Sequence, residues 1–124
     1  MREIPRAEWA EFLDTFSRQH EGWLVNVEVL SAEVGAQVEA EEKPLEGITA
    51  ELRGGGGDSI SITVGRTPAG RVTHNIQAPT HVRVEQAESG ADMALQIESS
   101  GGTTTLVRLR SAMLPEMVDG VVSE

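Results

Sequence analysis

A chain of 124 residues with 39% hydrophobic content can bury one core, and its net charge of −10 opposes phosphate backbones and anionic membranes. It has no cysteine, which excludes disulfides and thiolate zinc sites. Its aromatic residues are Trp9, Phe12, Phe16 and Trp23, so everything after Trp23 lacks a ring on which to stack a base, a sugar or a flavin.

The opening Met1-Arg2-Glu3-Ile4-Pro5 turns polar too early for a secretory signal. No apolar run approaches the roughly 20 residues of a membrane span. The expectation is a soluble, cytoplasmic single domain over residues 1–124 that does not engage a membrane.

A helix is expected over about residues 5–21. Trp9, Phe12, Leu13 and Phe16 stand at i, i+3, i+4 and i+7, one amphipathic stripe that must dock on something, first of all on the chain's own sheet. Pro5 suits the first turn, Glu8 and Glu11 suit its positive dipole end, Asp14 can pair with Arg18, and Gly22 ends it.

From Trp23 the period changes to two, and a β meander is expected over about residues 23–110. Val25, Val27 and Val29 line one strand. Ala32, Val34, Ala36, Val38 and Ala40 give a second with one dry face, and Glu41-Glu42-Lys43-Pro44 reads as a loop. Further strands follow at Ile48–Leu52, Ile60–Val64, Val72–Ile76, Val82–Val84, Met93–Ile97 and Thr103–Leu109. Gly54-Gly55-Gly56-Gly57-Asp58 and Arg66-Thr67-Pro68-Ala69-Gly70 supply turns, and Ala78-Pro79-Thr80 a bend or edge. The tail, 111–124, allows a helical turn between Pro115 and Gly120. The fold class is therefore α+β: an N-terminal amphipathic helix packed on a strongly bent antiparallel sheet or small β-barrel of about 6–8 strands, with a two-layer sandwich as the second choice.

Few residues invite chemistry. The glycine run is not a phosphate loop, because Asp58 and a strand follow where Lys-Ser/Thr and a helix are required. His74 shares parity with Val72 and Ile76 and reads as half-buried, whereas His81 shares parity with Arg83 and Glu85 and faces solvent; opposite parity separates the two as metal ligands. The hydroxyls of Ser59, Ser61 and Thr103-Thr104-Thr105 lie in no nucleophile elbow. No catalytic, cofactor-binding or metal residue is assigned, and no cofactor is expected. The charge is uneven: Glu28, Glu33, Glu39, Glu41, Glu42, Glu46 and Glu51 face only Lys43, while Arg66, Arg71, His74, His81 and Arg83 share a stretch with few acids. Candidates for ligand or partner contact are Trp23, His74, His81, Arg83, Arg108 and Arg110. The three arginines make a cluster only if their strands are neighbours, and otherwise pair with glutamates across the sheet.

The segments Ile4-Pro5-Arg6-Ala7-Glu8-Trp9-Ala10-Glu11-Phe12, Ser17-Arg18-Gln19-His20-Glu21-Gly22 and Val27-Glu28-Val29-Leu30 carry a resemblance. So do Pro44-Leu45-Glu46-Gly47-Ile48, Ile76-Gln77-Ala78-Pro79 and Leu114-Pro115-Glu116-Met117-Val118-Asp119-Gly120. Together they resemble an uncharacterised bacterial single-domain family, a domain of unknown function. The resemblance implies a stand-alone cytoplasmic protein and transfers no site residue.

Three functions stay open: a non-enzymatic binding or assembly module engaging a protein partner or its own copy, a small-ligand carrier using the barrel mouth near Trp23 and His74, and a nucleic-acid-binding small barrel. The last needs Arg71, Arg83, Arg108 and Arg110 on one face and is disfavoured by the charge.

Overall fold

The computed structural model describes residues 1–33, 35–65 and 67–111. Val34, Arg66 and the expected turn between Pro115 and Gly120 lie outside the described residues.

The aromatic stripe forms helix α1, Trp9–Gln19, entered through a 3-10 turn at Arg6–Glu8. Trp9, Leu13 and Phe16 are buried and Phe12 is half-buried. This face docks on the chain's own sheet, as expected. Two polar bonds fix the docking: the Trp9 indole donates to Ile4 O at 2.8 Å, and Ser17 Oγ accepts the Ile48 N–H at 2.8 Å. The Asp14–Arg18 pair forms at 3.2 Å. Gly22, at φ +87°, turns the chain out of the helix and donates to Leu45 O.

The strands are β1 (Arg2–Ile4), β2 (Leu24–Ser31), β3 (Gly35–Glu51), β4 (Ser59–Val64), β5 (Val72–Gln77), β6 (Pro79–Gln86), β7 (Asp92–Ser99) and β8 (Thr104–Ser111). They form one antiparallel eight-stranded sheet in the order β1-β6-β7-β8-β2-β3-β4-β5. The connections are not a single meander. Two runs, β2 to β5 and β6 to β8, meet where β8 pairs with β2, while β5 and β6 follow each other in sequence without pairing. The reversal between them is at Ala78, which takes φ +54°. A closed barrel requires the two end strands to pair; among the described residues the ladder stops at β1 and at β5.

Two local expectations are corrected. Residues 41–44 are not a loop, because β3 runs unbroken through them for 17 residues. It bends instead: Glu42 adopts φ +51°, its N–H is held by Asn26 Oδ1 at 2.7 Å, and the register with β2 slips opposite. That is a bulge, one extra residue that turns the strand so its first half pairs with β2 and its second with β4. The expected dry face at Ala36 and Val38 is also wet. Residues Gly35–Glu39 are exposed, Val38 by 59%, because this half of β3 extends beyond the core.

Alternation elsewhere builds the core. Ile60, Ile62 and Val64 of β4 are buried, as are Val82 and Val84 of β6, Leu95 and Ile97 of β7, and Val107 of β8. Each such side chain contributes roughly 1.5–3 kcal/mol on burial. One glycine is obligatory: at Gly65, φ +100°, an added Cβ would lie 2.3 Å from Gly70 O.

The glycine run makes the β3–β4 connection, and Asp58 closes it. Its carboxylate accepts the Arg53 and Gly54 N–H groups at 2.8 and 2.7 Å, and the Arg6 guanidinium at 2.9 and 3.0 Å. A residue that reads in sequence only as a bar to phosphate thus ties the hairpin to the segment entering α1.

Candidate functional site

Two surface grooves gather the chemistry. The first runs between α1 and the β6–β7 turn, about 550 Å³, with Arg2, Phe12, Thr15, Gln19, His20, Trp23, Gln86 and Asp92 on its walls. The helix puts Phe12, Thr15 and Gln19 along one wall because they recur every turn or two on the same face.

His20 sits at its deep end, 6% exposed. Its Nδ1 donates to Phe16 O at 2.8 Å, and its Nε2 lies 3.7 Å from Asp92 Oδ2. The ring packs on Phe16 with centroids 4.4 Å apart and meets Trp23 edge-on at 4.8 Å. Gln86 donates to the Asp92 carboxylate at 2.9 Å. At the rim, the Arg2 guanidinium lies 5.8 Å from the Phe12 ring centre, within range of a cation–π contact.

The second groove is a slot of about 350 Å³ beside β5, lined by Val29, His74, Asn75, Ile76, Gln77, Ser99, Gly101, Thr103 and Thr105. Among the described residues that line it there is no Asp, Glu, Lys or Arg. His74 is half-buried there, as its parity with Val72 and Ile76 implies.

The six sequence candidates separate. Trp23 and His74 do not share a cavity: one lines the helix groove and the other the β5 slot. His81 is bound through Nδ1 to Glu3 Oε2 at 2.6 Å, and Arg83 bridges Glu3 and Glu98, at 3.2 Å to each. The His81 hydrogen bond, with the nearby charges of His81 and Arg83, holds the Glu3 carboxyl below its ordinary range. Arg108 pairs with Glu28 at 3.4 Å and Arg110 is exposed. The arginine cluster does not form, because β7 stands between β6, carrying Arg83, and β8, carrying Arg108 and Arg110. Arg71 is elsewhere again, on Glu46 at 2.8 Å. The face required for a nucleic-acid reading is therefore dispersed.

Sequence reasoning missed His20 and Asp92. A signal existed for the first: His20 continues the buried stripe of Trp9, Leu13 and Phe16 with the same spacing, a polar residue where an apolar one is due. Asp92 follows a turn and only the fold carries it to the helix.

A family model matches residues 1–117 of the chain. The chain belongs to DUF5335, a family of unknown function. It is also 30% identical over 114 residues to an uncharacterised protein of Aquifex aeolicus (strain VF5), covering 91% of this chain and 96% of that one. The crystal structure of the Bacillus subtilis YojF protein aligns with a TM-score of 0.49 at 11% identity, over 91% of this chain and 97% of that one. The family places the resemblance seen in the sequence, and its function is unknown.

Proposed function

We propose that this chain is a single-domain, cytoplasmic, non-enzymatic module that acts through protein–protein contacts, with β5 as the strand that receives a partner. The observation that carries this reading is the difference in charge between the sheet's free edges. An exposed edge offers unpaired N–H and C=O groups to any passing strand, and proteins that must avoid pairing guard such edges with charge or keep them short.

Two edges here are guarded. β1 is three residues long and carries Arg2 and Glu3. Among the described residues, the first half of β3 pairs only with β2, and it carries Glu39, Glu41, Glu42 and Lys43. The third edge is not guarded. β5 reads Val-Thr-His-Asn-Ile-Gln, pairs only with β4, and no backbone hydrogen bond reaches it from its other side among the described residues. The uncharged slot beside it has room for the side chains of an added strand.

On a chain of net charge −10, two copies repel each other overall, and a neutral strip brings the fewest like charges together. The occupant we favour is therefore β5 of a second copy, pairing antiparallel about a twofold axis. A carrier holding its ligand between Trp23 and His74 would need both at one cavity, and they line different grooves.

Light scattering coupled to size exclusion tests this. The native chain is expected to run at twice 13.3 kDa at both low and high salt. The double variant Thr73→Lys, Asn75→Lys, altered only at exposed positions, is expected to run as a monomer with an unchanged circular dichroism spectrum. A native monomer at high protein concentration, or a dimer that survives both substitutions, sinks the β5 reading.

A further inference from the structure

We propose that the groove between α1 and the β6–β7 turn binds a planar aromatic ligand with two adjacent N–H donors on one edge and an anionic group at its far end, the chemistry of a guanine mononucleotide. This stands apart from the β5 reading, on a different face and on different residues.

The deep end defines the donor edge. A carbonyl oxygen only accepts, so the 2.8 Å contact with Phe16 O places the proton on His20 Nδ1. At the proposed site the ring is neutral, which makes Nε2 an acceptor, and Asp92 Oδ2, a second acceptor, lies 3.7 Å from it. That distance is too long for a direct hydrogen bond. Two acceptors side by side are matched by two adjacent N–H groups, such as the ring N–H and amino group of guanine. An adenine edge offers its amino group beside an acceptor nitrogen and matches only one.

Both groups are held in place. Gln86 donates to Asp92 Oδ1 at 2.9 Å and to Gly90 O at 3.3 Å, so the turn itself positions the carboxylate. His20 is fixed by its carbonyl bond and by Phe16 and Trp23 on its ring. Their side chains are 7% and 13% exposed, so little water competes for the ligand's donors.

The remaining walls define the body and the far end. Trp23 and Phe12, both half-buried, give apolar faces to a flat ring. Phe12 precedes His20 by eight residues, about 12 Å along a helix at 1.5 Å per residue. Arg2 over Phe12 therefore sets a cation about that far from the acceptor pair, where a phosphate belongs. The volume, about 550 Å³, is that of a small-molecule site.

The experiment is a fluorescence titration of the full chain with guanosine monophosphate, adenosine monophosphate and guanosine. Trp23 is half-exposed at the groove while Trp9 is 3% exposed in the core, so a bound base quenches one of two tryptophans. Saturable quenching by guanosine monophosphate is expected, at least tenfold tighter than by adenosine monophosphate. Asp92→Asn is expected to remove that preference. Arg2→Ala, at an exposed position, is expected to weaken the nucleotide several-fold and leave guanosine unchanged. No saturable response to guanosine monophosphate, or equal affinity for the two nucleotides, overturns the proposal. So does an Asp92→Asn chain that is folded by circular dichroism and keeps the preference, since the pair is then only a structural contact.

Discussion

Phe16→Ala is expected to lower stability by about 3–5 kcal/mol, the range for removing a fully buried aromatic side chain. Phe16 is 1% exposed and belongs to the core cluster that joins α1 to the sheet. It also contacts the Phe12 ring at 6.0 Å and supports the His20 ring from beneath. The cavity left behind cannot collapse easily, because the helix is pinned on either side by the Trp9 indole bond and the Ser17–Ile48 clasp. Against a typical total of 5–15 kcal/mol, such a loss removes a third or more of the margin in most cases. Urea denaturation measures it. Phe12→Ala, half-buried on the same helix, is expected to cost clearly less. Equal effects at the two positions would mean that α1 docks by a different face.

Asp58→Asn is expected to lower the thermal midpoint by several degrees near neutral pH and to remove a pH dependence that the native chain shows in acid. The Arg6 hydrogen bonds, followed by those from the Gly54 and Arg53 N–H groups and the Arg6 charge, pull the Asp58 pKa from an ordinary 3.8 to about 2. The sign follows from linkage. The folded-state value is below the unfolded one, so this carboxylate's contribution is complete above about 3.8 and is lost as pH falls through about 2. The native midpoint is therefore expected to fall between pH 4 and pH 2 by more than that of Asp58→Asn. An asparagine keeps the shape but offers one oxygen where four donors converge, and turns an N–H₂ group toward them. Parallel curves for the two proteins would show that Asp58 is not the tie between hairpin and helix entry.

Local pattern made the helix and most strands legible. Trp9, Leu13 and Phe16 announce α1 through their spacing, and Ile60, Ile62 and Val64 announce β4 through theirs. What escaped was decided at long range. Arg2–Ile4 is a strand only because β6, some 80 residues later, pairs with it. Glu41-Glu42-Lys43-Pro44 has the composition of a loop, yet the Asn26 amide and the flanking strands hold it extended around one bulged residue.

The site was legible to a similar degree. Trp23 stood out by type, and it does line a groove. Its partners there did not, since His20 looked like one of three scattered histidines and Asp92 like part of a turn. The arginines at 83, 108 and 110 looked like a patch because sequence does not reveal that β7 lies between their strands. The neutral composition of Val72–Gln77 was visible, but its position at the end of the ladder belongs to the topology alone.

Amide hydrogen exchange reads β5 itself as a working edge. Exchange is followed at β5 in dilute and in concentrated protein, with β4 as the internal reference. The β5 amides are expected to gain protection as concentration rises, while those of β4, already paired on both sides, do not change. Unchanged exchange at β5 across that range would contradict it.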